Sequence, residues 1–164
     1  EERNKLAAIL GEAGVVDTKA VNRILNKEIL AAQSAGLKVL YCIGEKDTEL
    51  DNWDEVLKEQ LSIGLEGADK DRVAIAYEPV WSIGPGKTPA DKPYITKVAK
   101  LVKKETDGLA VVYGGGLKTD NAEMLASIDE IDGGLIALTR FKGEIGFYPD
   151  EYIEIIKTYL GENK

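Results

Sequence analysis

The 164-residue chain contains no histidine. Any reaction that needs an imidazole, and any His-ligated metal site, must therefore draw that group from elsewhere. A single cysteine, Cys42, leaves nothing for an internal disulfide and fits a reducing compartment. There is no apolar run of roughly 18 residues and no signal-like N-terminus, so the chain reads as soluble and cytoplasmic. Basic residues are the minority, 21 Lys and Arg against 29 Asp and Glu. The resulting net charge of −8 argues against nucleic acid and anionic membranes as partners. What is present, 44% hydrophobic and 30% charged residues, is the composition of a globular protein long enough for one domain with a sizeable core.

Short apolar runs alternate with longer stretches of helical period, the pattern of an α/β fold in which helices cover a parallel sheet. A helix is predicted from about Asp17 to Ala35, with Val21, Ile24, Leu25 and Ile29 at helical spacing and Gly36 as its stop. "KVLYCI" (38–43) follows as a strand, then a helix from Asp51 or Asn52 that should bury Val56, Leu57, Leu61 and Leu65. "RVAIAYE" (72–78) is the next strand, and the helix after it carries Ile95, Val98 and Val102 on one stripe. "LAVVYG" (109–114) leads through a glycine turn into a short helix, and "GGLIAL" (133–138) is the fourth strand. A last helix begins at Pro149 and places Tyr152, Ile156 and Tyr159 on one side. One helix followed by four strand-to-helix units leaves two sheet edges unpaired and one sheet face uncovered. A complete eight-unit barrel takes about 250 residues. Residues 1–164 are thus expected to form half of such a barrel, without a further domain. The opening "EERN", charged and without a start methionine, adds the expectation that the chain is a piece of a longer polypeptide.

Three strings carry chemistry. "AYEPVWSIGPGK" (76–87) sets a carboxylate, Glu78, between the end of a strand and a glycine-bearing loop; "YGGG" (113–116) follows it and "CIGE" (42–45) precedes it. Together, in this order and spacing, they resemble the triosephosphate isomerase family, and the resemblance runs from about Gly36 to Leu160, the family's strands five to eight. It implies the (β/α)8 TIM barrel, a phosphorylated sugar as substrate, no cofactor, no metal, and a homodimer for the intact protein. By resemblance Glu78 is the general base that moves a proton between neighbouring carbons through an enediolate, and residues 79–87 are a mobile lid. Gly84 and Gly86 leave N–H groups open to the phosphate, with Gly84 the expected donor. Tyr113 is implied to latch the lid through its hydroxyl, with Gly115 and Gly116 forming the other side of the cradle. Cys42, a small residue expected to be buried, is implied to pack beside the base without reacting. Glu45 is implied to steady an arginine behind the site, with Arg3 a possible partner. Glu1 or Glu2 would match the glutamate of the family's "HSER" string.

The chain also departs from the family. Gly116 stands where the family usually has a serine, removing one hydrogen bond of roughly 0.5 to 1.5 kcal/mol. Where the family ends its last strand in two glycines, this chain reads Ala137 and Leu138, followed by "TRFKGEIGF" (139–147). Either Arg140 or Lys142 supplies charge to a phosphate there, which would suit a different sugar phosphate such as a tetrulose phosphate, or Gly143 or Gly146 supplies an N–H. The lysine and histidine that the family's reaction uses have no counterpart here. Without them the enediolate lacks its electrostatic stabilisation, so this chain by itself is expected to be inactive. Two other readings stand beside the isomerase: a non-catalytic half-barrel, and another phosphate-binding barrel such as a lyase, against which counts the lack of a lysine late in any strand.

Overall fold

The computed structural model describes residues 2–12, 14, 17–84 and 86–162, the side chains of Glu2 and Thr18 apart. The chain runs α1 (Glu2–Glu12), α2 (Thr18–Ser34), β1 (Val39–Ile43), α3 (Trp53–Gly64), β2 (Val73–Tyr77), α4 (Lys92–Thr106), β3 (Val111–Tyr113), α5 (Thr119–Ala126), β4 (Gly133–Gly134) and α6 (Pro149–Leu160). Helix starts follow the sequence: the Asp17 carboxylate accepts from the Lys19 N–H, that of Asp91 accepts from the Tyr94 N–H, and Pro149 opens α6. No described helix is long and apolar enough to cross a membrane.

The four strands pair in sequential order, β1-β2-β3-β4, all parallel. The register aligns Tyr41 with Ile75 and Val111, and Ile43 with Tyr77 and Tyr113. Because side chains alternate along a strand, these six share one face, and every one of them is buried under the helices. Burying each contributes about 1.5–3 kcal/mol. The opposite face carries Leu40, Cys42, Ala74, Ala76 and Val112. Among the described residues its β1 end is left open, with Leu40 44% exposed. This is the arrangement of four consecutive units of an eight-unit barrel.

Three local expectations need correction. No helix was expected before Asp17, yet α1 forms; its apolar residues are the continuous run Leu6 to Leu10 rather than a stripe, so the sequence shows no helical period there. Cys42 is exposed, not buried, because it points to the uncovered face. The fourth strand is two residues rather than six, since β3 offers it a short partner and, among the described residues, no strand flanks its other edge. In α6, Tyr152, Ile156 and Tyr159 lie on one side as expected and together line a small cavity of about 170 Å³ beside the free edge of β4, while the fully buried residue of the helix is Ile155.

Candidate active site

The C-terminal ends of the strands form one rim. There the ladder continues past the strands: the Glu78 N–H donates to the Ile43 carbonyl at 2.8 Å, and the Gly114 N–H to the Tyr77 carbonyl at 2.8 Å. Glu78 therefore sits between the backbone after β1 and the backbone after β3. Both neighbours are glycines, for a steric reason. A Cβ on Gly44 would lie 1.8 Å from the Glu78 carbonyl oxygen, and one on Gly114 would lie 2.8 Å from Glu78 Cγ. Following Tyr77, which faces the helices, Glu78 turns to the same open side as Cys42.

Burial pushes the Glu78 carboxyl above the usual carboxylate range, and a hydrogen bond from the Cys42 thiol partly offsets this. Although the residue is exposed as a whole, desolvation at its sulfur, and next the Glu78 charge, push that thiol up to about 11, so it stays protonated at neutral pH and serves as a donor rather than a nucleophile. Cys42 and Glu78 border a groove of about 780 Å³ that runs along the free edge of β1 against α1 and α2. Its walls also carry Asp17, Glu28, Glu49, Glu55 and Glu59 against Arg3 and Lys46, so acidic groups outnumber basic ones along it.

The loop after Glu78 is fastened at its start. Trp81 Nε1 donates to Glu45 Oε1 at 2.7 Å, and Ser82 is buried. Tyr113, wholly buried, donates through its hydroxyl to the Gly115 carbonyl at 2.9 Å. Its oxygen also lies within hydrogen-bonding reach of the Ser82 hydroxyl and the Ala90 N–H, and burial pushes the phenol up to about 12. Tyr113 thus touches both ends of the loop, and Gly115 has room only for a hydrogen beside Tyr113 and Pro79. Further out, Gly84 and Gly86 adopt φ of +111° and +79°, and the Lys87 N–H closes a turn on the Gly84 carbonyl. Pro85, between them, is outside the described residues. Gly116 has φ +93° with open space around its α-carbon, and its carbonyl accepts from Asn121 at the start of α5. Glu78, Gly114, Gly115, Tyr113 and Cys42 therefore form one contiguous rim.

Two expected contacts turn out otherwise. Glu45 is fully buried and takes hydrogen bonds from Tyr77, Trp81 and Tyr94, while Arg3 is turned to Tyr41, Asn22 and the Cys42 carbonyl. Aromatic donors on β2, the loop and α4 reach Glu45, so it steadies the loop's base instead of an arginine. Glu1 and the side chain of Glu2 lie outside what the structure describes. Arg140 is likewise committed elsewhere. It pairs with Glu151 through two nitrogens, lies over the Tyr148 ring at 3.9 Å, and exchanges backbone hydrogen bonds with Gly146. The segment after β4 is thus a small hairpin sealed onto α6, and both the Arg140 charge and the Gly146 N–H are used inside it. Lys142 and Gly143 are exposed on this hairpin. Gly44 and Tyr94 had no assigned role in the sequence; for Gly44, its place right after a strand end was the available signal. Trp81 was expected to stiffen the start of the loop, and its hydrogen bond to Glu45 is the contact through which it does so.

The family model described as triosephosphate isomerase matches residues 17–158. The chain belongs to the triosephosphate isomerase family. A triosephosphate isomerase of Geotalea uraniireducens is 39% identical over 133 residues, covering 73% of this chain and 53% of that protein. Another, of Fusobacterium nucleatum, is 35% identical over 152 residues, 85% of this chain and 58% of that protein. The chain thus spans about half the length of the curated relatives it matches. Its four-stranded parallel sheet is accordingly a partial TIM barrel, and α1 falls before the matched region.

Proposed function

We propose that this chain supplies the general base and the phosphate-binding loops of an aldose–ketose isomerase acting on triose phosphate. The observation that carries the reading is the seat of Glu78: a half-buried carboxylate at a strand end, confined by Gly44 and Gly114, with its proton affinity raised by burial. Such a group can take a proton from a carbon next to a carbonyl and return it to the neighbouring carbon, the enediolate forming between the two transfers. Tyr113 and the glycines at 84, 86, 115 and 116 would hold the phosphate and the loop over it, excluding water from the intermediate. With Arg140 spent on Glu151, a triose phosphate fits this reading better than a longer sugar phosphate. The intact protein would be a homodimeric cytoplasmic enzyme of carbohydrate metabolism.

The chain has no histidine, and the lysine and histidine electrophiles would come from the half that the relatives have and this chain does not match. The test is an isomerase assay with glyceraldehyde 3-phosphate on this chain and on a polypeptide carrying an upstream half-barrel. Activity is expected only in the longer form, and Glu78→Gln should lower its kcat by about 10²-fold or more, the worth of a positioned base. An active longer form that is indifferent to Glu78→Gln would overturn the assignment.

A further inference from the structure

The base of the loop after Glu78 is built from residues outside the rim itself. Trp81 is near the start of this loop, and Tyr94 lies in the first turn of α4, where the loop ends. The two rings meet edge to face, with centroids 5.4 Å apart and planes at 80°. Both donate to the same oxygen: Trp81 Nε1 and the Tyr94 hydroxyl reach Glu45 Oε1 at 2.7 and 3.1 Å, beside Tyr77 at 2.9 Å. Among the described residues the other oxygen of this fully buried carboxylate has no partner, so its satisfaction depends on those three donors.

We propose that Tyr94 is a positioning residue for the loop that follows Glu78: its ring is the wall against which Trp81 rests, and its hydroxyl holds the carboxylate that accepts the Trp81 N–H. Tyr94 is itself held by regular structure. Its N–H is capped by the Asp91 carboxylate at 2.9 Å, its ring packs on Trp53 of α3 with centroids 6.1 Å apart, and the Lys97 ammonium lies 3.9 Å from its ring centre and 4.5 Å from that of Trp53. Trp81 has no such frame. Its neighbours Val80 and Ile83 are 42% and 37% exposed, so beside the Val80 N–H bond to the Glu45 carbonyl and buried Ser82 the start of the loop has this anchored indole as its one large apolar contact. Tyr94 therefore ties the loop's start to the helix that receives its end. The bearing of this on catalysis rests on the reading of Glu78 as the base; the arrangement and its test do not.

The experiment compares amide hydrogen exchange across residues 79–87 in the wild-type chain, Tyr94→Phe and Tyr94→Leu. Trp81 emission is recorded in the same series carrying Trp53→Phe, which leaves one indole. Phe keeps the wall and loses the hydroxyl: exchange in the loop should rise by about threefold to tenfold, the factor one hydrogen bond is worth, with little change in emission. Leu loses both, so exchange should rise further and Trp81 emission should move to longer wavelength. Exchange in β2 and β3 should remain at the wild-type level in both variants. If loop exchange is unchanged in both, or rises only in step with β2 and β3, Tyr94 is merely part of the packing and the proposal fails. Should Leu prevent folding, the Phe variant decides by the same comparison.

Discussion

At Gly114 a hydrogen stands where any other residue would put a carbon 2.8 Å from Glu78 Cγ and 3.0 Å from its Oε1. On the other side Gly44 lies against the Glu78 backbone, a Cβ there falling 1.8 Å from its carbonyl oxygen, so a carbon added at position 114 presses on the Glu78 side chain and not on its main chain. Gly114→Ala should therefore move the carboxylate rather than be absorbed by it. In the catalytically complete polypeptide kcat/KM should fall by about 10²-fold, as expected for a displacement near 1 Å, while overpacking costs only about 1–3 kcal/mol of stability. Steady-state kinetics and urea denaturation on the same variant separate the two effects. Intact kinetics would show that the Glu78 carboxylate has more freedom than this geometry allows. Glu78 was legible in the sequence because the string around it is long and specific. The partners of Glu45 were not, since Tyr77, Trp81 and Tyr94 approach it from three different elements, and no spacing along the chain records such a meeting.

The elements were legible wherever a helix buries one stripe against a strand with alternating faces, as in α2 to α4 with β1 and β2. They were not legible at the ends of the sheet, where the missing neighbour decides what is inside: hence the two-residue β4 and the half-exposed Tyr152 and Ile156. The hairpin after β4 shows a local solution. Buried Thr139 donates to Glu151 Oε2 and accepts from the Tyr148 N–H, each at 2.9 Å, joining the hairpin to the first turn of α6. Thr139→Val keeps the shape and removes both bonds, leaving the Tyr148 N–H without its acceptor. The expected loss is about 1–3 kcal/mol, measurable as a lower urea midpoint with an unchanged slope. A midpoint equal to wild type would mean that these two bonds contribute nothing to holding α6 beyond the Arg140–Glu151 pair.

Over the whole molecule, exposed large apolar side chains gather in three places: α1, α2 and β1 (Ile9, Leu30, Leu37, Leu40), the loops at the strand ends, and α6 (Tyr152, Ile153, Ile156, Leu160). Among the described residues none lies on α3, α4 or α5, the helices over the middle of the sheet. Both apolar edges flank strands with unpaired backbone groups, which is where copies of a half-barrel would stick together. At neutral pH the net charge of −8 opposes that association. Lowering the pH toward the isoelectric point of about 4.7 protonates carboxylates and removes the repulsion, while the apolar edges are unaffected. Light scattering at low ionic strength should therefore show the weight-average mass rising as the pH falls from 7 to 4.7. Raising salt at pH 7 should reproduce part of the rise by screening. Replacing exposed Ile153 and Ile156 by glutamate should reduce both effects, leaving the part that comes from the β1 edge, without unfolding the chain, as neither side chain is in the core. A mass that stays constant across the whole pH range would mean that these edges are already covered in solution.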